Sequence, residues 1–392
     1  MTFRSHVVTP PVLGIFGGGQ LGRMTCVAAQ ALGYAVRVLD PDPHCPAATS
    51  CNELITAAFD DVIAAQRLAL GCAAVTVDLE AVGLDAMRAA ATHAPVRPSA
   101  EVLHVIQDRA RQRAWLQENG FPIPDVRRAE NEEALRNALE GVGRPAFVKA
   151  TQGGYDGKGQ VRVVSDEDAD EAAALVRQCP VVVEENVDFL AEISVQIARR
   201  PGGEMRAFAP ALNHHEQQIL AWTMLPAPID ADVAARAIDL GKSLAERLDV
   251  VGLLTVELFL LKDGSLRINE LAPRPHNSFH TTLGHARVSQ FAQLARAVLD
   301  LPLAEPTEFP TIVVANLLGE LWDPESGTLD VASALAEPGV DVTVYGKRVA
   351  RLARKMGHLT ATADSPEKAL AAARAAMERL GRTLAPSPLV EN

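Results

Sequence analysis

Two glutamates and a glycine-rich loop carry the most specific chemistry in this chain. Residues 256–270 read VELFLLKDGSLRINE. Asp-Gly between two apolar runs is a hairpin signal. With Asp263-Gly264 as a two-residue turn, Phe259 faces Ile268, Leu258 faces Asn269 and Glu257 faces Glu270. Strand side chains alternate between faces, so both glutamates share a face with Leu261, Phe259, Leu266 and Ile268. Like charges opposed on a half-apolar face are unfavourable unless something offsets them. A shared proton is one solution. A hard cation is the other, with Asn269 as a further oxygen ligand, because magnesium is commonly held by one or two carboxylates plus substrate phosphates. The bland alternative is a glutamate that is exposed or paired with an arginine. A one-residue slip would separate the pair.

A phosphate-binding element lies upstream. Residues 148–164 read VKATQGGYDGKGQVRVV. Gly153, Gly154, Gly157 and Gly159 offer backbone amides, Lys149 precedes the loop on a strand, and Tyr155, Asp156 and Lys158 fall at its tip. Ordinary phosphate loops run from strand to helix. This one runs from strand to strand, so its glycines can act as hinges of a lid. Downstream of the glutamates comes LAPRPHNS (271–278). Its prolines stiffen the segment, and it presents Arg274, His276, Asn277 and Ser278. Arginine favours planar oxyanions such as carboxylate, bicarbonate or phosphate.

A third motif points elsewhere. Gly17-Gly18-Gly19-Gln20-Leu21-Gly22 fits G-x-G-x-x-G between a strand and a helix, and Asp40 ends the next strand where a ribose-binding acid belongs. Alone it reads as a nicotinamide dinucleotide site. The same glycines also serve close strand–helix packing, and no second feature suggests hydride chemistry.

These groups need a scaffold. Val12–Phe16, Ala35–Asp40 and residues 73–77 read as strands alternating with helices over 22–32 and Leu84–Ala91, which implies a parallel sheet. One helical stretch is expected over 101–118, ended by Asn119-Gly120. A second unit holds a helix (131–139), strands over Ala146–Ala150, 161–164 and 181–184, and a helix capped by Ser165. The third has antiparallel character. The expected division is 1–110, 111–190 and 191–392, with 385–392 a loose tail.

Bulk properties exclude several classes. The 392 residues are 48% hydrophobic and 22% charged, with net charge −12 and pI about 5.4. That acidic balance argues against nucleic-acid or anionic-membrane partners, and the dispersed acids read as a solubilising surface. Five cysteines without a C-x-x-C pair argue against a disulfide framework or zinc site. No run reaches the roughly 18 apolar residues of a membrane span, and no signal core stands at the N-terminus. A cytoplasmic enzyme is expected.

Taken together, the elements resemble an ATP-grasp enzyme, and within that superfamily the 5-(carboxyamino)imidazole ribonucleotide synthases of purine biosynthesis. GGGQLGRM (17–24), LDPDPHCPA (39–47), TQGGYDGKGQ (151–160), INELAPRPHNSFH (268–280), YGK (345–347) and RKMGH (354–358) carry the likeness over nearly the whole chain. It implies a Rossmann-like N-terminal α/β domain, a small lid-like middle domain and a larger C-terminal domain with an antiparallel sheet. It implies MgATP, with manganese as a substitute ion, and a homodimer. Arg109 and Lys149 would lie at the ATP site, with Gly154, Tyr155, Asp156, Gly157, Lys158, Gly159 and Gln160 over the phosphates. Glu184, Glu185, Asn186 and Val187 would line the adenine pocket, Glu192 would hold the ribose, and His215 would lie beside the nucleotide. Glu257 and Glu270 would bind magnesium, with Asn269 nearby. Arg274, His276 and Asn277 would hold bicarbonate, and the catalytic group would include Tyr155, Asp156 and Lys158. Gln20, Leu21, Glu80, Lys347, Arg354 and Lys355 would contact 5-aminoimidazole ribonucleotide.

The sequence departs from that pattern in places. TVDLE (76–80) replaces an aromatic strand, Leu352-Ala353 replaces Pro-Gly, and Arg113 stands where lysine is common. The implied reaction carboxylates the ribonucleotide through carboxyphosphate, with Asp156, His276 or a phosphate oxygen taking the amine proton. Alternatives are a formate-dependent glycinamide ribonucleotide transformylase, a biotin-carboxylase-like ligase, or a nicotinamide-dependent dehydrogenase.

Overall fold

The computed structural model describes residues 9–153, 159–283, 287–306, 310–387 and 389–390. Its first unit comprises β1 (Val12–Phe16), α1 (Gln20–Ala31), β2 (Ala35–Asp40), β3 (Glu53–Thr56), α2 (Val62–Ala69), β4 (Cys72–Val77) and α3 (Leu84–Ala91). The strands form one parallel sheet in the order β3-β2-β1-β4. The central strand VLGIF is apolar throughout because helices cover both faces. The sequence reading missed β3 and α2. Asp61 caps α2 through the amides of Ile63 and Ala64, both at 3.0 Å, and was the available signal.

The helix expected over 101–118 is two helices, α4 (Ala100–Ile106) and α5 (Arg109–Glu118). Asp108 turns its carboxylate onto the Arg111 amide (3.0 Å) as the cap of α5. The Gln107 side chain donates to the carbonyls of Glu80 and Val82 instead of continuing the helix face. The break starts α5 at Arg109, with Arg113 one turn on.

The middle unit holds β5 (Val126–Ala129), α6 (Glu132–Val142), β6 (Ala146–Ala150), β7 (Gln160–Val163), α7 (Asp166–Val176) and β8 (Val181–Glu185), with sheet order β5-β8-β6-β7. Alternation along β6 buries Ala146, Val148 and Ala150 under α6 and α7 and turns Phe147 and Lys149 to the open face. Ser165 and Asp168 form the capping box of α7.

The large unit runs β9 (Phe189–Arg199), β10 (Met205–Ala207), β11 (Ala211–Glu216), β12 (Ile219–Leu225), α8 (Ala231–Arg247), β13 (Gly252–Leu261), β14 (Leu266–Ala272), α9 (Gln290–Val298), β15 (Thr311–Leu318), α10 (Val331–Leu335), β16 (Val340–Val344), β17 (Lys355–Ala363) and α11 (Pro366–Arg379). Its antiparallel sheet has the order β14-β13-β9-β11-β12-β15-β17-β16, with β10 beside β9. Apolar residues of α8 and α11 pack on one face of this sheet and form the largest core. The described part of the tail, 385–387 and 389–390, is docked where 385–392 is expected to be loose, and 388, 391 and 392 lie outside the described residues. The Ala385 amide donates to Glu216 (3.0 Å), its carbonyl accepts from the Trp222 indole (3.1 Å), and Val390 is buried.

Candidate active site

A cavity of about 1290 Å³ opens where the three units meet, and Glu257, Asn269 and Glu270 lie on its wall. Glu257 pairs with Glu270 as the hairpin argument expects, but by another route. The turn spans three residues, 262–264, with Gly264 at φ +79°, the Gly264 amide bonded to the Leu261 carbonyl, and the Leu261 amide bonded to the Ser265 carbonyl. That shifts Leu258 onto Ile268, and a bulge at Asn269 restores Glu257 to Glu270. The expected set of face-mates is therefore corrected. Leu266 and Ile268 belong to the core face, while Glu257 shares the cavity face with Phe259 and Leu261. In a regular ladder Asn269 and Glu270 would point oppositely. A bulge lets both face the cavity.

Burial pushes the Glu257 carboxyl up to about 7, against the pull of His215 and with the charge of Glu270 adding to the rise. Glu270 has Arg109 at 3.8 Å. Among the described residues no three His, Cys, Asp or Glu side chains converge as a metal cage. Two opposed carboxylates with an amide oxygen beside them fit a magnesium ion that completes its shell with phosphate oxygens.

Beside them sits the 274–277 turn. Arg274 Nε lies 2.7 Å from Glu80 Oε1, joining the large unit to the end of the N-terminal sheet. Burial disfavours the Arg274 cation, but Glu80 more than offsets it and raises its pKa. His276 Nε2 is 3.4 Å from Glu257 Oε1. Burial, and then Arg274, hold His276 well below the ordinary histidine value, so the ring is neutral. Asn277 Oδ1 is buried and makes no hydrogen bond among the described residues. A second bulge falls between His214 and His215 in the β11–β12 pairing, with Ala221 the extra residue on β12. His215 Nδ1 is 3.1 Å from Glu192 Oε2, and that carboxylate outweighs burial to raise the His215 pKa.

Lys149 belongs to a buried charge network. Its Nζ is 2.6 Å from Glu184 Oε2, while Arg113 Nε holds Glu184 Oε1 at 2.7 Å. Burial opposes ionisation of Glu184, yet Arg113 and Lys149 together hold its carboxyl well below the usual range. Arg113 also donates to the carbonyls of Ile268 (3.1 Å) and Asn269 (2.6 Å), the two beside the bulge. Both carboxylate oxygens of Glu184 are thereby engaged in positioning Lys149.

The dinucleotide-like motif is occupied from within. Asp78 Oδ2 accepts from the amides of Gly19 (2.8 Å) and Gly22 (3.1 Å), and Asp40 accepts from Gly18 (2.7 Å). A Cβ on Gly17 would lie 1.6 Å from Asp78. These glycines make room for two carboxylates at the start of α1, and Asp40 caps a loop instead of holding a ribose. Burial raises Asp78 to about 7, with the Gly22 amide opposing and Asp40 adding to the rise.

The cavity gathers almost every expected residue that is described. Gln20, Leu21 and Glu80 line it from the N-terminal unit. Arg109, Lys149, Gln160, Glu184, Glu185, Asn186 and Val187 line it from α5 and the middle unit. Glu192, His215, Arg274, His276 and Asn277 line the large unit's side, with Lys347, Arg354 and Lys355 at the far end. Gly159, at φ +70°, lies outside the lining and bonds through its carbonyl to the Ala150 amide at the foot of the loop. Gly154, Tyr155, Asp156, Gly157 and Lys158 fall outside the described residues. The sequence reading missed Asp78 and an aromatic wall of Phe147, Phe189 and Phe259, the last two stacked at 4.9 Å. Single aromatics on separate strands leave no sequence signature.

Comparison with known proteins agrees with this geometry. The ribonucleotide synthetase preATP-grasp domain matches residues 11–107, the ATP-grasp domain 114–291, and the phosphoribosylaminoimidazole carboxylase C-terminal domain 313–372. The N5-carboxyaminoimidazole ribonucleotide synthase of Brucella melitensis is 40% identical over 350 residues, 89% of this chain and 95% of that protein. The Bacillus subtilis synthase is 36% identical, covering 89% of this chain and 90% of that protein. Among solved structures, an ADP complex of an N5-carboxyaminoimidazole ribonucleotide synthetase superposes with a TM-score of 0.88 at 36% identity, over 95% of this chain and 98% of that one. An Aspergillus clavatus N5-carboxyaminoimidazole synthase in complex with ADP and 5-aminoimidazole ribonucleotide gives 0.87 at 29% identity, over 95% and 99%.

Proposed function

The chain belongs to the N5-carboxyaminoimidazole ribonucleotide synthase family of ATP-grasp ligases, and we propose that it performs that family's reaction at this cavity. ATP, bicarbonate and 5-aminoimidazole ribonucleotide yield the N5-carboxyamino ribonucleotide, ADP and phosphate, a step of purine biosynthesis. The observation that carries the reading is the junction at Arg274. Its guanidinium meets Glu80 of the N-terminal unit, while its chain segment follows directly from Glu270. A nucleotide on the Lys149 side and a ribonucleotide on the Gln20 side would thus meet at the 274–277 turn.

Each residue has a role suited to its chemistry. Phe147, Phe189 and Phe259 give an apolar wall for a base, and Glu192 with His215 gives polar partners for a ribose. Lys149 and Arg109 put positive charge at the phosphates. Glu257, Asn269 and Glu270 would hold magnesium, whose charge offsets that of the transferring phosphoryl group. Arg274 orients bicarbonate through its fork. The γ-phosphoryl group passes to a bicarbonate oxygen and gives carboxyphosphate. The amine nitrogen then bonds to the carboxyl carbon, the carbon–oxygen bond to phosphate breaks, and the amine proton passes to an oxygen of the departing phosphate. We assign Tyr155, Asp156 and Lys158 to the second substrate, and Lys347, Arg354 and Lys355 to its phosphate. We further propose a cytoplasmic homodimer. No described helix is long and apolar enough to cross a membrane.

Phosphate release from ATP tests the reading. It should require both bicarbonate and 5-aminoimidazole ribonucleotide, and magnesium or manganese. Turnover with formate and glycinamide ribonucleotide instead would keep the superfamily and reject the substrate. The dehydrogenase reading loses its support because the amides it would use are bonded to Asp78 and Asp40.

A further inference from the structure

We propose that Ser278, Ser194 and Asn213 are positioning residues that hold His276 with its proton on Nε2, making His276 a hydrogen-bond donor to bicarbonate and its phosphorylated product, not the acceptor of the amine proton. This rests on the reaction proposed above. It follows from a buried hydrogen-bond chain beneath the site.

The Nδ1 end of the imidazole sets the tautomer. Nδ1 lies 2.8 Å from Ser278 Oγ and 3.4 Å from the Ser278 backbone N–H, which can only donate. Nε2 is the ring atom on the cavity side, 3.4 Å from Glu257 Oε1. Because the Ser278 N–H can only donate, Nδ1 is the bare nitrogen and the ring proton sits on Nε2.

The interior of the chain has a matching direction. Asn213 lies with Oδ1 2.6 Å from Thr223 Oγ1, a hydroxyl that also reaches the Leu212 carbonyl at 2.9 Å, and with its amide nitrogen toward Ser194. Asn213 Nδ2 donates to Ser194 Oγ at 3.2 Å, and Ser194 donates to Ser278 Oγ at 3.0 Å. The hydroxyl proton of Ser278 is then left for His276 Nδ1. Ser194, Thr223 and Ser278 are fully buried and Asn213 is nearly so. They lie on β9, β12, the turn after β14, and β11, of which β9 and β12 are otherwise largely apolar. Burying polar groups costs stability unless all are satisfied. Here the chain ends on one ring atom of the site.

The His276 backbone is clamped as well. Its amide donates to Gln290 Oε1 and its carbonyl accepts from Gln290 Nε2, both at 2.9 Å, with Gln290 fully buried. Backbone and Nδ1 are thus both fixed, and the Nε2–H edge, beside Glu257, is the one on the cavity side. A fixed donor of this kind favours developing negative charge on the carboxyl oxygens.

Three variants and one spectrum test this. Glutamine reproduces a donor near the position of Nε2, whereas asparagine reproduces one near Nδ1. His276→Gln should keep kcat/KM for bicarbonate within about tenfold of the parent, and His276→Asn should lose about 10²–10³-fold, the usual loss for one such donor. Ser278→Ala should raise the bicarbonate KM about 10- to 100-fold, the range for removing an orienting partner, with ADP binding unchanged. In protein labelled with ¹⁵N-histidine, the His276 ring, identified by its absence from His276→Gln, should show a protonated Nε2 and a bare Nδ1. Ser278→Ala should mix the tautomers. Equal inactivity of the Gln and Asn variants, an Asn variant better than Gln, or a protonated Nδ1 overturns the proposal. The spectrum needs no substrate, so a parent protein without bicarbonate-dependent turnover rejects the reaction while the tautomer is still read.

Discussion

Glu257 and Glu270 stand opposite each other across β13 and β14, one residue beyond a bulge at Asn269. The bulge turns two consecutive residues to the cavity, and Glu257 then completes three oxygen-bearing groups on one face. Glu270→Gln keeps the shape and removes one charge of the pair. Bicarbonate-dependent ATP turnover should fall by about 10²–10³-fold or more, on the scale of losing one fixed electrostatic partner. The melting temperature should stay level or rise, since a like-charge repulsion is relieved. Full activity in this variant would sink the metal assignment.

The strands on either side of the glycine loop, Lys149, the hairpin and the parallel N-terminal sheet were legible because each is coded by neighbouring residues. The glutamate pairing was reached through two displacements that cancel, a longer turn and a bulge. A bulge has no strong local code. Its two freed carbonyls are satisfied by Arg113, 155 positions from Ile268. Long range also decided the Gly17–Gly22 motif. Its local pattern matches a dinucleotide loop, but Asp78, 56 residues beyond Gly22, fills the amides. The break between α4 and α5 likewise depends on Gln107 reaching Glu80 and Val82.

His358 and His280 stack with ring centroids 5.0 Å apart, and the Tyr345 hydroxyl lies 2.9 Å from His358 Nδ1. Burial drives His358 down to about 3. Its unfolded value is about 6.5. A histidine lowered on folding contributes stability that is present above the unfolded value and lost as pH falls from there toward the folded one. The contribution of His358 to unfolding free energy should therefore drop between pH 6.5 and 5, while the raised carboxyls of Asp78 and Glu257 act in the opposite sense. His358→Gln removes one titrating group, so its slope should be shallower by up to about 1.4 kcal/mol per pH unit. Urea titrations at pH 7.5, 6 and 5 decide this, and identical slopes would refute it.

Ala353 has φ +62°, a left-handed conformation that costs an L-residue about 1–2 kcal/mol. The turn persists because the Ala353 amide donates to Glu320 (3.0 Å) and the Gly319 amide to the Arg354 carbonyl (2.9 Å). Ala353→Gly relieves the strain but frees the unfolded chain by about 0.4–1 kcal/mol. The net gain should lie between about 0 and 1.6 kcal/mol, with the KM for 5-aminoimidazole ribonucleotide unchanged. Gly319→Ala should behave oppositely. Its Cβ would lie 2.2 Å from the Arg351 carbonyl oxygen, displacing the segment that carries Arg354. A raised ribonucleotide KM in Gly319→Ala, absent from Ala353→Gly, is the expected pattern.

Arg113 joins Glu184, and through it Lys149, to the carbonyls beside the bulge. A planar fork serves three acceptors at once, which a single ammonium group does poorly. Arg113→Met leaves Glu184 with Lys149 as its remaining side-chain partner and leaves two carbonyls without a donor. Breaking a buried ion pair this way costs about 3–5 kcal/mol. Lys149 should then be held more tightly by Glu184 and be less available to phosphate, so the ATP KM should rise on the order of tenfold, equivalent to about 1.4 kcal/mol. Arg113→Lys recovers the charge at Glu184 and not the fork. It should restore most of the ATP affinity while remaining less stable than the parent. Unfolding titrations beside ATP saturation curves separate the two effects. An Arg113→Met protein with parental ATP KM would show that the network supports the fold and does not tune Lys149.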